Sequence, residues 1–197
     1  LQSAWADYDA DGDLDLYVGG DAGNVLYDND NDGTFTDANI VLLEDTGTAR
    51  AVLWADFDND GDLDLFVSNH GSTNKLFRND GGATFTDHST ASNVHDSGAG
   101  SGAAWGDFDG DGDLDLYVAS DVDYLFRNDG SETFVSVGAL LGLNDGINDN
   151  SAQWADYDND GDLDLWVSAH NSSNNKLYLN KGDATFEGQV GPGVGLN

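Results

Sequence analysis

Apolar residues along this chain alternate with polar ones in short runs, and no run keeps the period of an amphipathic helix. In "LDLYV", Leu14, Leu16 and Val18 fall on one side by a period of two, as in a half-buried strand. The segments "SAWAD", "NVLYD" and "TFTDA" around it are equally short. Clusters of Asn, Asp and Gly separate them, as hairpin turns require. The opening of the chain thus predicts four short strands and no helix.

The same pattern then recurs. "WADYDADGDLDLYV" from Trp5 returns as "WADFDNDGDLDLFV" from Trp54, "WGDFDGDGDLDLYV" from Trp105 and "WADYDNDGDLDLWV" from Trp154, at steps of 49, 51 and 49 residues. A second motif follows each copy: "VLYDNDNDGTFTD", "KLFRNDGGATFTD", "YLFRNDGSETFVS" and "KLYLNKGDATFEG". The 197 residues divide into four units with boundaries near 1–49, 50–100, 101–149 and 150–197. One four-stranded unit cannot bury both of its faces, so its neighbours must. The prediction is an all-β fold, a β-propeller of four four-stranded blades forming a single repeat domain over residues 1–197. A parallel β-helix is the rival, but its rungs are usually shorter. Three arrangements stay open: four blades closing alone, pairing with a second copy, or membership of a larger wheel.

Aromatic residues occupy repeated positions. Each unit supplies a Trp in its first strand (Trp5, Trp54, Trp105, Trp154) and a ring just inside the following loop (Tyr8, Phe57, Phe108, Tyr157). The second strand adds Tyr17, Phe66, Tyr117 and Trp166, the third Tyr27, Phe77, Phe126 and Tyr178, the fourth Phe35, Phe85, Phe134 and Phe186. Only Tyr124 is left over. Rings repeated in this way read as packing between blades, which leaves few for stacking on sugars.

Between the first two strands of every unit lies an acidic loop. Its carboxylates are Asp7, Asp9, Asp11, Asp13 and Asp15; Asp56, Asp58, Asp60, Asp62 and Asp64; Asp107, Asp109, Asp111, Asp113 and Asp115; Asp156, Asp158, Asp160, Asp162 and Asp164. Five like charges this close repel one another unless a cation neutralises them. Oxygen-only donors at alternate positions suit a hard divalent ion. Carboxylates at loop positions 1, 3 and 5 can converge on one point, Gly at 6 allows a sharp turn, position 7 offers its carbonyl, and a carboxylate at 9 closes the shell. An EF-hand would need Glu at position 12 between helices. Val18, Val67, Val118 and Val167 stand there instead, in strand patterns. The expectation is about four Ca²⁺ per chain, one per loop. Magnesium, which keeps several waters, fits less well.

Charge narrows the partners. The net charge is −32, and removing the 20 loop aspartates leaves −12, so most of the acidity is local to the loops. Such a surface excludes nucleic acid as a partner and gives no means of direct membrane insertion. Cysteine is absent, which removes disulfides and thiolate metal sites. The chain has no initiator Met and no signal-like start, as expected of a chain processed or cut from something longer. No nucleophile elbow or zinc-type His pairing appears, so catalysis is not expected.

On these motifs the chain resembles FG-GAP/VCBS-type repeats, the propeller repeats of integrin α subunits, fungal lectins and many bacterial surface proteins. Trp105-Gly106 stands at the family's "FG", where the other units have Trp-Ala. Its "GAP" position reads Gly19-Gly20-Asp21, Ser68-Asn69-His70, Ala119-Ser120-Asp121 and Ser168-Ala169-His170. The resemblance implies a propeller with Ca²⁺ in hairpin loops on one face, an extracellular or cell-surface (secreted) setting, and a structural, adhesive or recognition role toward a protein or glycan ligand. Alternatives are a lectin-type carbohydrate binder and an accessory domain of a larger secreted enzyme. Exposed end blades would also promote self-association.

Weaker signals complete the inventory. "DNDNDGTFTD", Asp28 to Asp37, imitates a second metal loop but reads as a hairpin turn. His70 and His170 alternate with Asp21 and Asp121, which points to a duplicated two-blade unit. "GAGSG", Gly98 to Gly102, reads as a flexible connection, and Asn171-Ser172-Ser173 is a glycosylation sequon.

Overall fold

The computed structural model describes residues 1–21, 23–94, 100–144, 149–170 and 175–190. Gly98 and Ala99 of the glycine-rich connection and the sequon Asn171-Ser172-Ser173 lie outside these residues. Among the described residues sixteen strands form four antiparallel sheets, each in simple up-and-down order. The first blade holds β1 (Gln2–Ala6), β2 (Asp15–Gly19), β3 (Val25–Asn29) and β4 (Phe35–Asp37). The second holds β5 (Thr48–Ala55), β6 (Asp64–His70), β7 (Lys75–Asn79) and β8 (Phe85–Asp87). The third holds β9 (Gly102–Gly106), β10 (Asp115–Ala119), β11 (Tyr124–Arg127) and β12 (Val135–Ser136). The fourth holds β13 (Asp149–Ala155), β14 (Asp164–Ala169), β15 (Lys176–Asn180) and β16 (Phe186–Val190). The one helical turn among the described residues is a 3₁₀ turn at Val41–Leu43. The blade architecture expected from the repeats is therefore present.

The blades group in pairs. Leu1–Gly100 and Ser101–Asn197 form two compact units of two blades each. The alternation of Asp21 and His70 with Asp121 and His170 has the same two-blade period. In both units the second blade's first strand starts early and carries a bulge, between Ala49 and Ala51 in β5 and between Asp149 and Ser151 in β13.

Within each unit one core lies between the two blades. In the first unit Tyr8, Tyr17 and Leu26 of one blade meet Val52, Leu65, Val67 and Phe77 of the next, with Trp54 and Phe85 against them. In the second unit Phe108, Tyr117, Ala119 and Leu125 meet Ala152, Leu165, Val167 and Tyr178, with Trp154 and Phe186 against them. Trp54 stacks on Tyr8 and meets Tyr17 edge-on, while Trp154 stacks on Phe108 and meets Tyr117 edge-on. These rings pack between blades, as their spacing implied, whereas Trp5, Phe35 and Tyr157 at equivalent positions are largely exposed. Gly106 has a local reason to be glycine: a Cβ there would lie 2.6 Å from Trp154 Cδ1.

Leu14 departs from the expected strand face. β2 begins only at Asp15, so Leu14 belongs to the loop and is 57% exposed. Leu16 and Val18 on the same side are half-buried, whereas their counterparts Leu65, Val67, Leu165 and Val167 are buried.

A buried acidic pair occupies the second unit. Asp123 Oδ1 accepts a hydrogen bond from the Ser120 amide at 2.9 Å, and Asp149 opens β13 beside it. Burial, followed by the Asp149 carboxyl, holds Asp123 well above the usual carboxylate range, and burial raises Asp149 too. Tyr117 and Tyr178 face the same pair, and Lys176 is the cation that opposes Asp123. At the same turn position the other blades use Asn24, Asn74 and Asn175, each accepting the equivalent backbone bond at 3.0, 2.8 and 3.1 Å. A carboxyl whose folded value is raised contributes stability at low pH that is lost as pH rises through that value. Melting temperature should therefore fall between about pH 5 and about pH 9, and Asp123→Asn should flatten the fall, with a gain of about 1–3 kcal/mol at the alkaline end. Thermal melts of both proteins across that range check this. An unchanged slope in the variant would show that the pair does not set the pH dependence.

Candidate metal centre

Each acidic loop folds around its own carboxylates in the same way four times. The position-1 carboxylate accepts the amide of the position-6 glycine: Asp7 from Gly12 at 3.1 Å, Asp56 from Gly61 at 3.1 Å, Asp107 from Gly112 at 3.0 Å, Asp156 from Gly161 at 3.2 Å. That closure needs φ near +100° at the glycine, 101° at Gly12 and Gly161 and 98° at Gly61 and Gly112, which L side chains rarely adopt. The position-5 carboxylate accepts the position-7 amide: Asp11 from Asp13, Asp60 from Asp62, Asp111 from Asp113, Asp160 from Asp162, at 2.9 to 3.1 Å.

The position-9 aspartate has a different environment. Asp15, Asp64, Asp115 and Asp164 are buried at the first residue of the second strand. One oxygen accepts the amide of the aromatic residue at loop position 2, and the other accepts the amide of an asparagine at the end of the third strand, or just past it for Asn128. For Asp64 these are Phe57 at 3.0 Å and Asn79 at 2.8 Å; for Asp115, Phe108 and Asn128, both at 2.9 Å. Asp15 takes Tyr8 and Asn29, and Asp164 takes Tyr157 and Asn180. This carboxylate ties the loop to two strands at once.

Positions 1, 3 and 9 converge. Asp7, Asp9 and Asp15; Asp56, Asp58 and Asp64; Asp107, Asp109 and Asp115; Asp156, Asp158 and Asp164 each bring one oxygen within 4.8 Å of the other two. The position-5 and position-7 aspartates are not part of these trios. In the first loop Asp11 instead joins Asp9 and Asp28 in a second trio. Asp28, read as part of a plain hairpin motif, stands where the other blades have Arg78, Arg127 and Leu179.

The electrostatics of the trios call for a counter-charge. Burial pushes Asp64 and Asp115 up to about 7, against two backbone hydrogen bonds that lower each, and nearby loop carboxylates raise them further. Burial also raises Asp15 and Asp109. Asp7 Oδ1 and Asp109 Oδ1, at positions 1 and 3, are buried without a hydrogen-bond partner. A buried oxygen of this kind is costly unless something binds it. An all-oxygen set with such unsatisfied atoms fits a hard cation such as calcium and lacks the nitrogen or sulfur donors that select softer metals.

The comparisons with known proteins follow the same repeats. The FG-GAP-like repeat model matches residues 7–67, 56–118 and 116–167. No curated protein matches the chain. Among solved structures, the chain is similar to an Agrocybe aegerita lectin whose structure concerns specific recognition of non-reducing terminal N-acetylglucosamine. The TM-score is 0.59 at 20% identity, over 95% of this chain and 52% of that one, so the chain spans about half the lectin's length. The likeness is one of fold. No helix among the described residues is long and apolar enough to cross a membrane. With three successive model matches lying on the loops and strands described above, the chain belongs to the FG-GAP-like repeat family.

Proposed function

We propose that this protein is a calcium-stabilised extracellular recognition module, non-enzymatic, in which each blade's acidic loop holds one Ca²⁺ and the propeller presents a rigid surface to a protein or glycan partner. The observation that carries the calcium reading is the fourfold convergence of the position-1, -3 and -9 carboxylates. In it, the trio of each loop supplies the ion's charged ligands, and position 5 supports the turn through the position-7 amide. Calorimetry on chelator-stripped protein should count four calcium ions per chain, with Kd on the order of 10⁻⁵ to 10⁻³ M, as in other extracellular modules. Two or fewer ions at millimolar calcium would overturn it.

A carbohydrate-binding role is the second reading. The fold likeness to a lectin supports it, as does a cavity of about 220 Å³ in the first unit. Asp45, Thr48, His70, Ser72, Thr73 and Lys75 are among the residues that line this cavity, an array of donors and acceptors suited to hydroxyl groups. It lies at the His70 end of β6, away from the Asp64 end that meets the acidic loop. The same stripped and calcium-loaded protein applied to a glycan array separates the readings: calcium-dependent glycan capture supports the lectin role, and none at all leaves a protein ligand.

A further inference from the structure

In the second unit, the turn between β10 and β11 and the start of β13 enclose polar side chains that the acidic loops do not use. Two carboxylates flank Ser120. Its amide donates to Asp123 Oδ1 at 2.9 Å, and its carbonyl accepts the Asp149 amide at 3.3 Å. Asp123 is 2%, Asp149 1% and Tyr117 0% exposed. Four of their oxygens are buried with no hydrogen-bond partner among the described residues: Asp123 Oδ2, both carboxylate oxygens of Asp149, and the Tyr117 hydroxyl. Tyr117 faces the pair, since after burial the charges of Asp123 and Asp149 are what its hydroxyl feels most. Native cores leave few buried polar atoms without a partner, and two adjacent carboxylates add mutual repulsion to that cost.

The first unit builds the same place without charge. Asn24 stands at the Asp123 position, Ala49 at the Asp149 position and Phe77 at the Tyr178 position. Tyr17, the counterpart of Tyr117, donates its hydroxyl proton to the Leu43 carbonyl at 2.8 Å. The blade architecture therefore does not require two acids and a second tyrosine here. A ligand held by them accounts for their burial.

Charge decides the kind of ligand. Asp123 and Asp149 together carry two negative charges when ionised. Lys176, 7% exposed, opposes Asp123 with one positive charge. One negative charge remains. A divalent ion would leave the core with a net positive charge, whereas a monovalent ion brings it to neutrality. The unpartnered atoms are all oxygens, the donors that hard cations prefer. Asp149, with both oxygens unpartnered, can grip an ion with two atoms at once.

We propose that the second unit buries a monovalent cation, sodium or potassium, between Asp123, Asp149 and Tyr117. This site lies at the Ala119 end of β10, opposite the Asp115 end that meets the acidic loop. It does not depend on the calcium reading. A proton shared by the two carboxylates is the competing occupant, and ion and proton exclude each other.

Thermal melts in about 150 mM sodium, potassium or choline chloride test the site, at equal ionic strength and constant calcium. Choline is too bulky for a buried site. At about pH 8, sodium or potassium at about ten times its Kd should raise the melting temperature by about 5–10 °C over choline. The salt with the larger gain identifies the ion. The gain should shrink toward about pH 5, where protons hold the carboxylates. The double variant Asp123→Asn/Asp149→Ala gives the second unit the first unit's neutral residues, so it should fold. Its melting temperature should be the same in all three salts. Asp149→Asn, close to the original in size, should lose the gain as well. A wild type that melts identically in all three salts at about pH 8 overturns the proposal and leaves the proton as occupant. An undiminished gain in either variant also overturns it, because the ion then acts elsewhere.

Discussion

Chelating calcium should lower the melting temperature of this protein by about 20–40 °C at neutral pH. An ion at a hundredfold excess over Kd adds about 2.7 kcal/mol per site when the unfolded chain does not bind it. Two sites per two-blade unit give about 5 kcal/mol, and in a domain of this size each kcal/mol moves the midpoint by about 4–8 °C. The two loops of a unit share one inter-blade core, so their contributions couple as well as add. The physical origin is plain in the trios. Without an ion, three carboxylate oxygens stand within 4.8 Å of one another in each loop. In two loops the deepest of the three is also costly to ionise, since burial has raised Asp64 and Asp115 to about 7. Acid should weaken the calcium-loaded form as well, because protons displace the ion from its carboxylates. Differential scanning calorimetry with calcium and with chelator measures the effect directly. An unchanged midpoint would mean that the loops are not structural calcium sites.

How much of this was legible beforehand depends on how far each relationship reaches along the chain. The four blades and their rings follow from a period of about fifty residues that any eye can find. Positions 1, 3 and 9 of the loops were legible because all three act within one hairpin turn. The position-5 aspartates match the calcium pattern equally well; Asp60, Asp111 and Asp160 each accept the position-7 amide outside the position-1, -3 and -9 trios, while Asp11 also joins Asp9 and Asp28. The second role of Asp64 and Asp115 was hidden for another reason. Their partners Asn79 and Asn128 lie 15 and 13 residues further on, and only the register of the second and third strands brings them together. Asp28 likewise reaches the first loop across strands. Tyr157 and Tyr8 occupy the same repeat position, yet Tyr157 is exposed and Tyr8 is buried under Trp54, a difference that the repeat itself does not carry.

The double role of the position-9 aspartate separates two variants that sequence spacing treats alike. Asp109 and Asp115 belong to the same trio. Asp109 Oδ1 is buried without a partner, and the Asp111 backbone eases the carboxyl's charge, so its side chain contributes less than that of Asp115 until an ion arrives. Asp109→Ala should therefore cost about 2.7 kcal/mol in calcium, the value of one site, and next to nothing in chelator, where it removes a repelling charge. Asp115 accepts the amides of Phe108 and Asn128 whether or not the ion is bound. Asp115→Ala strands both of these donors, each at a cost of about 1–3 kcal/mol. Relief of the buried carboxyl offsets part of that cost and leaves a net loss of about 2 kcal/mol or more in chelator. In calcium the loss of the site adds to it. Asp115→Asn keeps one acceptor but turns an amide N–H₂ toward the second donor, so it should fall between the wild type and the alanine variant. Urea titrations of the variants, with and without calcium, provide the comparison. If Asp109→Ala and Asp115→Ala are indistinguishable in chelator, the buried carboxylate is a ligand only, and something other than Asp115 ties the loop to β10 and β11.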